Sequence, residues 1–373
     1  MKIFLIGWHG KYNIGDDIML DIISWGAYKY WNVKKIYVLA SPSCLNDNES
    51  GRAKVIGIVT RNRIQNYINK AIAVIKSDAL VFGGGSIYHA VNSCRWKYFY
   101  TKLFKLIHRK GRVGSIGVSV GPFKEVEEVN WCKKLLKEFN FLIVRDKKSF
   151  ELANKMLLPY EVQIGFDLSV LYFLSHNTYT LSTAKNEQVN IGFSILNYDK
   201  FKGEEYSFDI SRNKKIKEVI KTLVNKDLTI KIRLFVLCKD KTFGDEEPAN
   251  EIYQEINDIN KSQIEIIKYV GDPKSIIYSM SECNVIISMR LHGSVLAYLL
   301  NKPLLMISYH NKCLDFAEYV GMEKKYILDR NNFSADELLK LIDELLIEKK
   351  GNFKLSLNKA QNLAIKNFSH ISI

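Results

Sequence analysis

The chain has 373 residues, 47% of them hydrophobic and 25% charged, which is the ordinary composition of a soluble globular protein of about two domains. The formal net charge of +14 fits a nucleic acid, an anionic membrane surface or an anionic substrate as partner, and does not decide among them. No apolar run reaches the roughly 18 residues that a membrane span needs, and six cysteines without a CxxC pair argue against a zinc site and a disulfide framework.

The amino terminus, MKIFLIGWHG, is a short apolar stretch that runs directly into glycines and polar residues. This pattern predicts a first core strand and not a signal peptide. Together with the scattered cysteines, it predicts a cytoplasmic protein, with the inner face of the plasma membrane as a second location to consider.

The first half of the chain alternates short β-branched runs with stretches of helical periodicity. After the first strand, at 2–7, a helix is predicted at 16–31. Further strands are predicted at 35–39, 79–82, 113–120 and 141–144. Strands that alternate with helices of this length indicate a parallel sheet covered on both faces.

A polar, turn-rich stretch at 174–188 is the predicted linker, and a second alternating series follows it. Its strands are predicted at 189–195, 229–236, 264–267, 285–287 and 304–307, and a helix at 334–348. The predicted fold is therefore α/β, with two Rossmann-like domains facing a cleft. The predicted boundaries are 1–178, 186–330 and, for C-terminal helices that pack back on the first domain, 331–373.

Three glycine-rich turns follow predicted strands in the first half: GWHGKYNIGDD, GGGS and IGVSVGP. Glycines at such places permit a ligand to approach the backbone, and a helix that begins there favours anions. The candidate acceptor-binding or phosphate-cradling residues are Asn13, Gly15, Asp16, Gly83, Gly84, Gly85, Ser86 and Gly121. Two alternatives to ligand binding remain. The first stretch can be a plain strand-to-helix turn in which Asp16 or Asp17 caps the helix, and the glycines of GGGS can serve tight packing where two domains meet. No GxGxxG motif supports a dinucleotide site.

Arg145 follows another predicted strand and precedes Lys147, Lys148 and Ser149. A guanidinium at a strand end can bind a carboxylate or phosphate through two parallel hydrogen bonds. An ion pair with a neighbouring aspartate is the equally weighted alternative.

The stretch SMRLHGS places Arg290 and His292 directly after a predicted strand, before a predicted helix at 294–300. If both residues continue the extended backbone, their side chains share one face. The next strand ends near Lys312, so two adjacent strand ends would bring the three side chains to one place. A lone histidine is more often structural, but two cations on the same rim favour function. Such a set is suited to a small polyanion carrying phosphate and carboxylate, with proton transfer by the imidazole.

These motifs resemble those of the polysaccharide pyruvyl transferase family. The resemblance lies in G-x-x-N-x-G-D, GGGS, the Arg145–Asp146 pair with Ser149, and MRLHGSVLAYLLNKPLLMISYHNK continuing to Gly321. It implies a two-domain fold like that of the GT-B glycosyltransferases. It also implies transfer of the pyruvyl group of phosphoenolpyruvate onto a sugar, as a ketal, with release of phosphate and without a metal or cofactor.

By the same resemblance, Arg145, His292 and Lys312 hold the donor, and Arg290 belongs to the same motif. On chemical grounds, His292 and Arg290 are the candidate catalytic residues, with His292 as the acid that protonates the donor. Two features depart from the family pattern: Ile87-Tyr88-His89 follows GGGS, and His310 stands where an aspartate is common. Both departures are expected to alter the choice of acceptor rather than donor binding. A glycosyltransferase with a nucleotide-sugar donor and a non-catalytic anion-binding protein remain as alternatives.

Two basic segments carry interleaved apolar residues: 95–112, with seven Lys or Arg and no acid, and 349–373, with five lysines and no acid. Basic amphipathic helices of this kind can lie on an anionic membrane, which would suit a glycan or lipid-linked sugar acceptor. The alternative is a helix that covers a sheet and has a solvated rim. No nucleic-acid-binding motif accompanies the charge.

Overall fold

The computed structural model describes the chain except residues 46–49, 178–187, 204–205, 241–243, 257 and 372. The chain divides into two compact units. The first contains Met1–Lys11, Gly15–Thr178 and Asn358–Ile373, and the second contains Tyr12–Ile14 and Tyr179–Leu357. Most of the predicted linker at 174–188 lies outside the described residues.

The strands of the described residues alternate with helices in both units. The strands are β1 (Lys2–Ile6), β2 (Lys35–Val38), β3 (Lys54–Gly57), β4 (Ala79–Tyr88), β5 (Arg112–Val120), β6 (Phe141–Val144), β7 (Val162–Ile164), β8 (Val189–Ser194), β9 (Ile230–Val236), β10 (Ile264–Lys268), β11 (Val285–Ser288), β12 (Leu304–Ser308) and β13 (Ile327–Asp329).

The helices of the described residues are α1 (Ile14–Trp31), α2 (Arg63–Lys76), α3 (Val91–Ile107), α4 (Val126–Leu136), α5 (Lys147–Asn154), α6 (Tyr172–His176), α7 (Tyr198–Lys202), α8 (Ser207–Lys226), α9 (Glu246–Gln254), α10 (Pro273–Ser281), α11 (Leu291–Leu299), α12 (Asn311–Val320), α13 (Ala335–Glu348) and α14 (Leu357–Ser369). Among them, none combines the length and the apolar character required to cross a bilayer.

The first unit is built on a sheet with the strand order β3-β2-β1-β4-β5-β6-β7, in which every pair is parallel. Its central strand β1 reads KIFLI, and Ile3, Phe4, Leu5 and Ile6 are all buried. A continuous apolar run of this kind is what a strand covered by helices on both faces requires.

The second unit contains a sheet with the order β10-β9-β8-β11-β12-β13, again parallel throughout. In both sheets the strand order reverses direction next to the first strand, between β1 and β4 and between β8 and β11. This is the doubly wound arrangement, in which ligands bind beyond the carboxyl ends of the strands at the reversal point. The predicted α/β class with two Rossmann-like sheets is confirmed.

Two predicted boundaries are wrong in a way that affects the site. Strand β4 does not end at Phe82; it continues through GGGS to Tyr88, whose register partner is Val120 of β5. Helix α11 begins at Leu291 rather than Ser294, because the Arg290 carbonyl already accepts the first helical hydrogen bond, from Ser294 N at 3.1 Å.

Strands β3, β7 and β13 were not predicted from the sequence. Each has only three or four residues and lies at or near an open edge of its sheet. Edge strands this short bury few side chains, so their sequences lack a clear apolar pattern.

The C-terminal residues belong to different units. Helix α13 is part of the second unit, whereas α14 is part of the first. Phe368 of α14 is completely buried, and its carbonyl accepts a 2.9 Å hydrogen bond from the indole of Trp31. Asn367 accepts a 2.8 Å hydrogen bond from the backbone N–H of Gly117, within the third glycine-rich turn. That turn is therefore used for packing at Gly117.

Candidate active-site residues at the strand ends

The GGGS stretch combines packing and backbone conformation. A Cβ atom at Gly83 would lie 2.9 Å from side-chain carbons of Leu5 and Ile23, so this glycine packs closely against the core. Gly84 and Gly85 have φ angles of +75° and +85°, which other residues rarely adopt. Among the described residues, a Cβ atom at Gly85 would meet only Asp16 Oδ1, 3.7 Å away, so these residues leave the backbone there open.

His9, which the sequence did not single out, lies beside these glycines at the end of β1. Its ring is 2% exposed, and a Cβ atom at Gly84 would lie 3.5 Å from its Cε1. Burial lowers the pKa of His9 to about 4, while a contact with the backbone of Asp16 acts weakly in the opposite direction. The ring is therefore neutral at physiological pH and is unsuited to holding an anion by charge.

The other residues of the first glycine-rich turn are divided between the units. Asp16 lies in the first turn of α1 and is 7% exposed; since α1 begins at Ile14, Asp16 does not cap the helix. Asn13 belongs to the second unit, where it forms an isolated β-bridge with Cys238. Gly121 follows β5, and its N–H donates to the Tyr88 carbonyl at 3.1 Å.

Arg145 follows β6 and is held by three neighbours within the first unit. Its Nη1 lies 3.0 Å from Asp167 Oδ2, its Nε donates to Ser119 Oγ at 2.9 Å, and its Nη2 donates to Ser86 Oγ at 3.3 Å. The side chains of Arg145 and Asp167 are each 6% exposed. The ion pair with an aspartate, one of the two interpretations from the sequence, is the contact that this structure shows.

Asp146 and Ser149 organise the same strand ends. Asp146 caps α5 by accepting the Ser149 N–H at 2.7 Å, and its other oxygen accepts the Ser119 hydroxyl at 2.7 Å. Ser149 Oγ accepts the N–H of Val120 at 2.8 Å. The Arg-Asp-x-x-Ser motif therefore fixes the ends of β5 and β6 relative to each other.

Arg290 follows β11 in the second unit and is anchored by Asp245. Its Nε donates to Asp245 Oδ1 at 2.7 Å, while Asp245 Oδ2 accepts the backbone N–H groups of Leu237 and Cys238 at 3.0 and 3.1 Å. Burial raises the pKa of Asp245, opposed by the guanidinium and the two N–H groups. Burial alone would lower the pKa of Arg290, but Asp245, together with Cys238 and Tyr309, more than offsets burial and raises that pKa.

Tyr309, just after the neighbouring strand β12, interacts with both Lys312 and Arg290. The Lys312 ammonium lies 5.2 Å from the centroid of its ring, and Tyr198, after β8, packs on the same ring with centroids 4.8 Å apart. Tyr309 also contributes electrostatically to the raised pKa of Arg290. Because β11 and β12 are paired, Arg290 and Lys312 share one edge of the sheet, as the sequence predicts.

His292 is half-buried and is the second residue of α11, so it does not lie in extended backbone with Arg290. The premise that the two side chains share a face through strand geometry is therefore wrong. Gly293 follows, and a Cβ atom there would lie 2.3 Å from Ser288 Oγ, which requires glycine. Close packing of this helix against the end of β11 thus places His292 in the first turn, where backbone N–H groups lack intrahelical partners.

Comparison with known proteins identifies the family. The sequence profile of the polysaccharide pyruvyl transferases matches residues 13–311. The chain belongs to the polysaccharide pyruvyl transferase family. A search among curated proteins finds no sequence that matches this pyruvyl transferase family member.

Solved structures with the same fold cover almost the whole pyruvyl transferase chain. UDP-GlcNAc 2-epimerase from Methanocaldococcus jannaschii is 14% identical with a TM-score of 0.61, covering 98% of this chain and 99% of its own. UDP-GlcNAc 2-epimerase from Neisseria meningitidis, solved with UDP-GlcNAc bound, is 14% identical with a TM-score of 0.61, and the match covers 98% of each chain. An Anabaena protein in complex with UDP and glucose is 14% identical with a TM-score of 0.57, and the match covers 99% of this chain and 95% of the Anabaena chain. At these identities the likeness concerns the fold, and it confirms the predicted GT-B-like class.

The departures from the family motifs have local structural explanations in this pyruvyl transferase. His310 caps α12, with Nδ1 accepting the Lys312 N–H at 3.2 Å, which is the role that an aspartate at this position would have. Ile87 and Tyr88 belong to the core, and the Tyr88 hydroxyl donates to Ser115 Oγ at 3.0 Å. Both departures leave Arg145, Arg290 and Lys312 in place.

Arg330 is a further cation of the pyruvyl transferase that the sequence did not single out. It follows β13, pairs with Asp199 Oδ1 at 2.6 Å, and has its guanidinium carbon 4.6 Å from the centroid of the Tyr198 ring. No sequence signal marks it, because both partners lie more than a hundred residues earlier. Within the described parts of the chain, no group of three or more His, Cys, Asp or Glu is arranged to hold a metal ion.

Proposed function

We propose that this protein transfers the pyruvyl group of phosphoenolpyruvate to a sugar of a polysaccharide or of a lipid-linked oligosaccharide precursor. The product is a ketal that bridges two hydroxyls, and inorganic phosphate is released. Membership of the polysaccharide pyruvyl transferase family supports the reaction class. The observation that carries the donor assignment is the set of Arg290, His292 and Lys312 at paired strand ends of one sheet.

The second unit suits an anionic donor for electrostatic reasons. Phosphoenolpyruvate carries about three negative charges near neutral pH, which the site must offset. Helices α11 and α12 both begin at this edge, and helix N-termini favour phosphate and carboxylate groups. Among the described residues, no carboxylate pairs with Lys312, in contrast to Arg290. Lys312 is therefore the proposed phosphate contact.

Arg290 contributes a fixed orientation as well as charge in this proposal. Because Asp245 is itself saturated by two backbone N–H groups and the guanidinium, the arginine cannot turn without breaking several buried hydrogen bonds. Groups oriented before the substrate arrives need no reorganisation during the reaction, which is the main source of electrostatic catalysis. We assign the donor carboxylate to Arg290.

His292 is the proposed general acid. Its imidazolium gives a proton to the methylene carbon of phosphoenolpyruvate, which makes C2 electrophilic. A sugar hydroxyl forms a bond to C2 and loses its proton. The bond between C2 and the phosphate oxygen breaks, phosphate leaves with the electron pair, and a second hydroxyl adds to C2 and loses its proton to close the ketal. Of the two hydroxyl protons, one restores the imidazolium of His292 and the other leaves on the phosphate. One positioned acid of this kind contributes roughly 10²- to 10⁴-fold in rate.

Arg145 has a different proposed role from the one that the family resemblance implies. Its ion pair with Asp167 and its bonds to Ser86 and Ser119 support a positioning function in the first unit. The open backbone at Gly85, beside Asp16, supports acceptor binding there. In this proposal Arg145 holds Ser86 for the acceptor and does not contact the donor.

A nucleotide-sugar glycosyltransferase is the second candidate. Its support is that similar folds have been solved with UDP-GlcNAc, or with UDP and glucose. A third candidate is a protein that binds an anionic metabolite without transforming it. All three candidate functions use the cations at the strand ends to bind an anion. They are distinguished by which donor is bound and whether it is converted to product.

The discriminating experiment incubates the full chain with a mixed glycan fraction and one donor at a time, phosphoenolpyruvate or UDP-GlcNAc. Inorganic phosphate release that depends on both protein and glycan, with a gain of one pyruvyl unit in the mass of the glycan, is the expected result. Release of UDP instead supports the glycosyltransferase. Measurable binding of phosphoenolpyruvate with intact donor after long incubation supports the binding protein.

A further inference from the structure

We propose that helices α2 and α3 of the first unit form a docking surface for an anionic membrane. The inference stands apart from the proposed reaction, since it rests on surface residues outside the strand ends. It concerns one contiguous area, called here the α2–α3 face, which consists of the solvent-exposed sides of these two helices.

Helix α2 has its apolar side turned to solvent. Ile64, Ile68, Ile72 and Ile75 recur at helical spacing and are between 39% and 72% exposed. Asn69, on another side of the helix, is half-buried, and its Nδ2 donates to the Ile58 carbonyl at 2.9 Å. A helix that covers a core normally shows the reverse, with apolar groups inside and amides in water.

Helix α3 continues the same apolar surface. Phe99 and Leu106 are 63% and 78% exposed, although Phe104 on the opposite side is completely buried. His108 Nε2 at the end of α3 lies 3.0 Å from the Val74 carbonyl of α2, and the two helices are in contact. The two exposed apolar stripes therefore belong to neighbouring helices.

The charge of the surrounding sequence is strongly one-sided. Residues 50–124 contain 14 Lys or Arg and a single acid, Asp78, so this stretch contributes +13 of the total of +14. Some of these cations are engaged: Lys97 points inward and donates to the Ile87 carbonyl, Arg95 pairs with Glu127, and Lys102 pairs with Glu138.

Other cations at the ends of the two helices remain available to a partner. Among the described residues, Arg61, Arg63, Arg109 and Lys110 are exposed and have no carboxylate partner. They stand at the start of α2 and just after α3, at two ends of the apolar stripes. The α2–α3 face is therefore an apolar surface with a basic border.

An anionic membrane fits this combination better than the other possible partners. Exposed isoleucine and phenylalanine side chains gain free energy by entering the boundary between headgroups and acyl chains, while each nearby cation is attracted to the anionic leaflet. A nucleic acid would use the cations but not the isoleucines. Symmetric pairing with a second copy would bring two strongly basic surfaces against each other.

The other basic segment of the chain, at the C-terminus, has no comparable stripe of exposed apolar side chains among its described residues. In residues 349–373 the apolar side chains Phe353, Leu355, Leu357, Leu363, Ile365 and Phe368 are all buried or half-buried. Their apolar area is already used in packing, so α14 offers cations without an exposed apolar stripe. The membrane surface is therefore assigned to α2 and α3 and not to the C-terminal segment.

Vesicle flotation of the full chain, without substrate, tests the proposal. The probes are vesicles of phosphatidylcholine alone and of phosphatidylcholine with phosphatidylglycerol, each at low and high salt. The test variant carries Ile64→Ser, Ile68→Ser, Phe99→Ser and Leu106→Ser. The matched control carries four replacements of other exposed apolar residues outside the α2–α3 face, Leu157→Ser, Leu228→Ser, Val270→Ser and Ile347→Ser. A charge variant carries Arg61→Gln, Arg63→Gln, Arg109→Gln and Lys110→Gln.

We expect binding to the anionic vesicles at low salt, a fall of about tenfold or more in both the apolar and the charge variants, and no change in the control. Because the replaced side chains are exposed, thermal unfolding of all variants should remain close to that of the unmodified chain. Equal flotation of the test variant and the control would overturn the proposal. So would lipid-free self-association, measured by sedimentation, that disappears in the test variant alone.

Discussion

Asp245 lies 45 residues before Arg290 in the sequence, yet the two side chains form a hydrogen-bonded ion pair, with Nε 2.7 Å from Oδ1. The carboxylate is completely buried and the guanidinium side chain is 14% exposed. The arginine at the proposed donor site is thus positioned by a residue from the loop between β9 and α9. The first prediction concerns this pair.

Asp245→Leu should lower the free energy of unfolding by about 3 kcal/mol or more, because it leaves a mostly buried guanidinium and two backbone N–H groups without their acceptor. The measurement is urea unfolding. The matched control is Asp343→Leu, whose pairing with Lys226 lies on the surface, with the two side chains 47% and 58% exposed. This change should alter stability by less than about 1 kcal/mol. Equal losses in the two variants would contradict the structural role of Asp245.

His292→Gln should lower turnover of phosphoenolpyruvate by roughly 10²- to 10⁴-fold, since glutamine cannot supply the proton. His310→Asp is the comparison variant, because aspartate can also cap α12, and its turnover should stay close to that of the unmodified chain. Phosphate release under saturating donor measures both. Near-normal turnover of His292→Gln would remove this residue from the mechanism.

Lys312→Met should weaken donor binding by about ten- to a hundredfold, the loss expected for one charge-assisted hydrogen bond. Isothermal titration with phosphoenolpyruvate measures it, with the exposed Lys324→Met as control in the same unit. Because Lys312 is half-buried and its ammonium packs on the ring of Tyr309, the variant is expected to fold normally. An unchanged dissociation constant would show that the phosphate binds elsewhere.

Arg145→Met should destabilise the first unit by about 3 kcal/mol, because Asp167 stays buried without its cation. The double variant Arg145→Met with Asp167→Leu should recover most of this loss. If Arg145 positions the acceptor cradle, the double variant has a raised KM for the acceptor and an unchanged affinity for phosphoenolpyruvate. A folded double variant that loses donor affinity would favour the direct donor contact that the family resemblance implies.

His9 gives a pH-dependent prediction. Its pKa is lowered from 6.5 to about 4 in the folded state, so between these values the unfolded chain binds more protons than the folded one. Stability is therefore fully present above about pH 6.5 and falls as the pH decreases toward 4, by up to about 3 kcal/mol from this group. Unfolding of the unmodified chain and of His9→Leu at several pH values measures the slope. Identical slopes in this window would contradict the burial of a neutral His9.

The sequence predicted the ends of β11 and β12 well because their signals are local. The apolar stretch before Arg290 and the strand before Lys312 each mark a buried parallel strand, and neighbouring parallel strands end at the same edge. It could not predict that Asp167 and Asp245 engage the two arginines, since these partners come from distant loops and are brought in by tertiary packing. The start of α11 was placed too late because Gly293 reads as a turn residue, although contact with Ser288 requires it inside the helix.

The donor identity is tested most directly by titrating phosphoenolpyruvate and UDP-GlcNAc separately into the full chain, and into the Lys312→Met variant. The account predicts that phosphoenolpyruvate binds, that UDP-GlcNAc does not compete with it, and that the substitution weakens its binding by at least about tenfold. Tight binding of UDP-GlcNAc, with no measurable affinity for phosphoenolpyruvate, would contradict it.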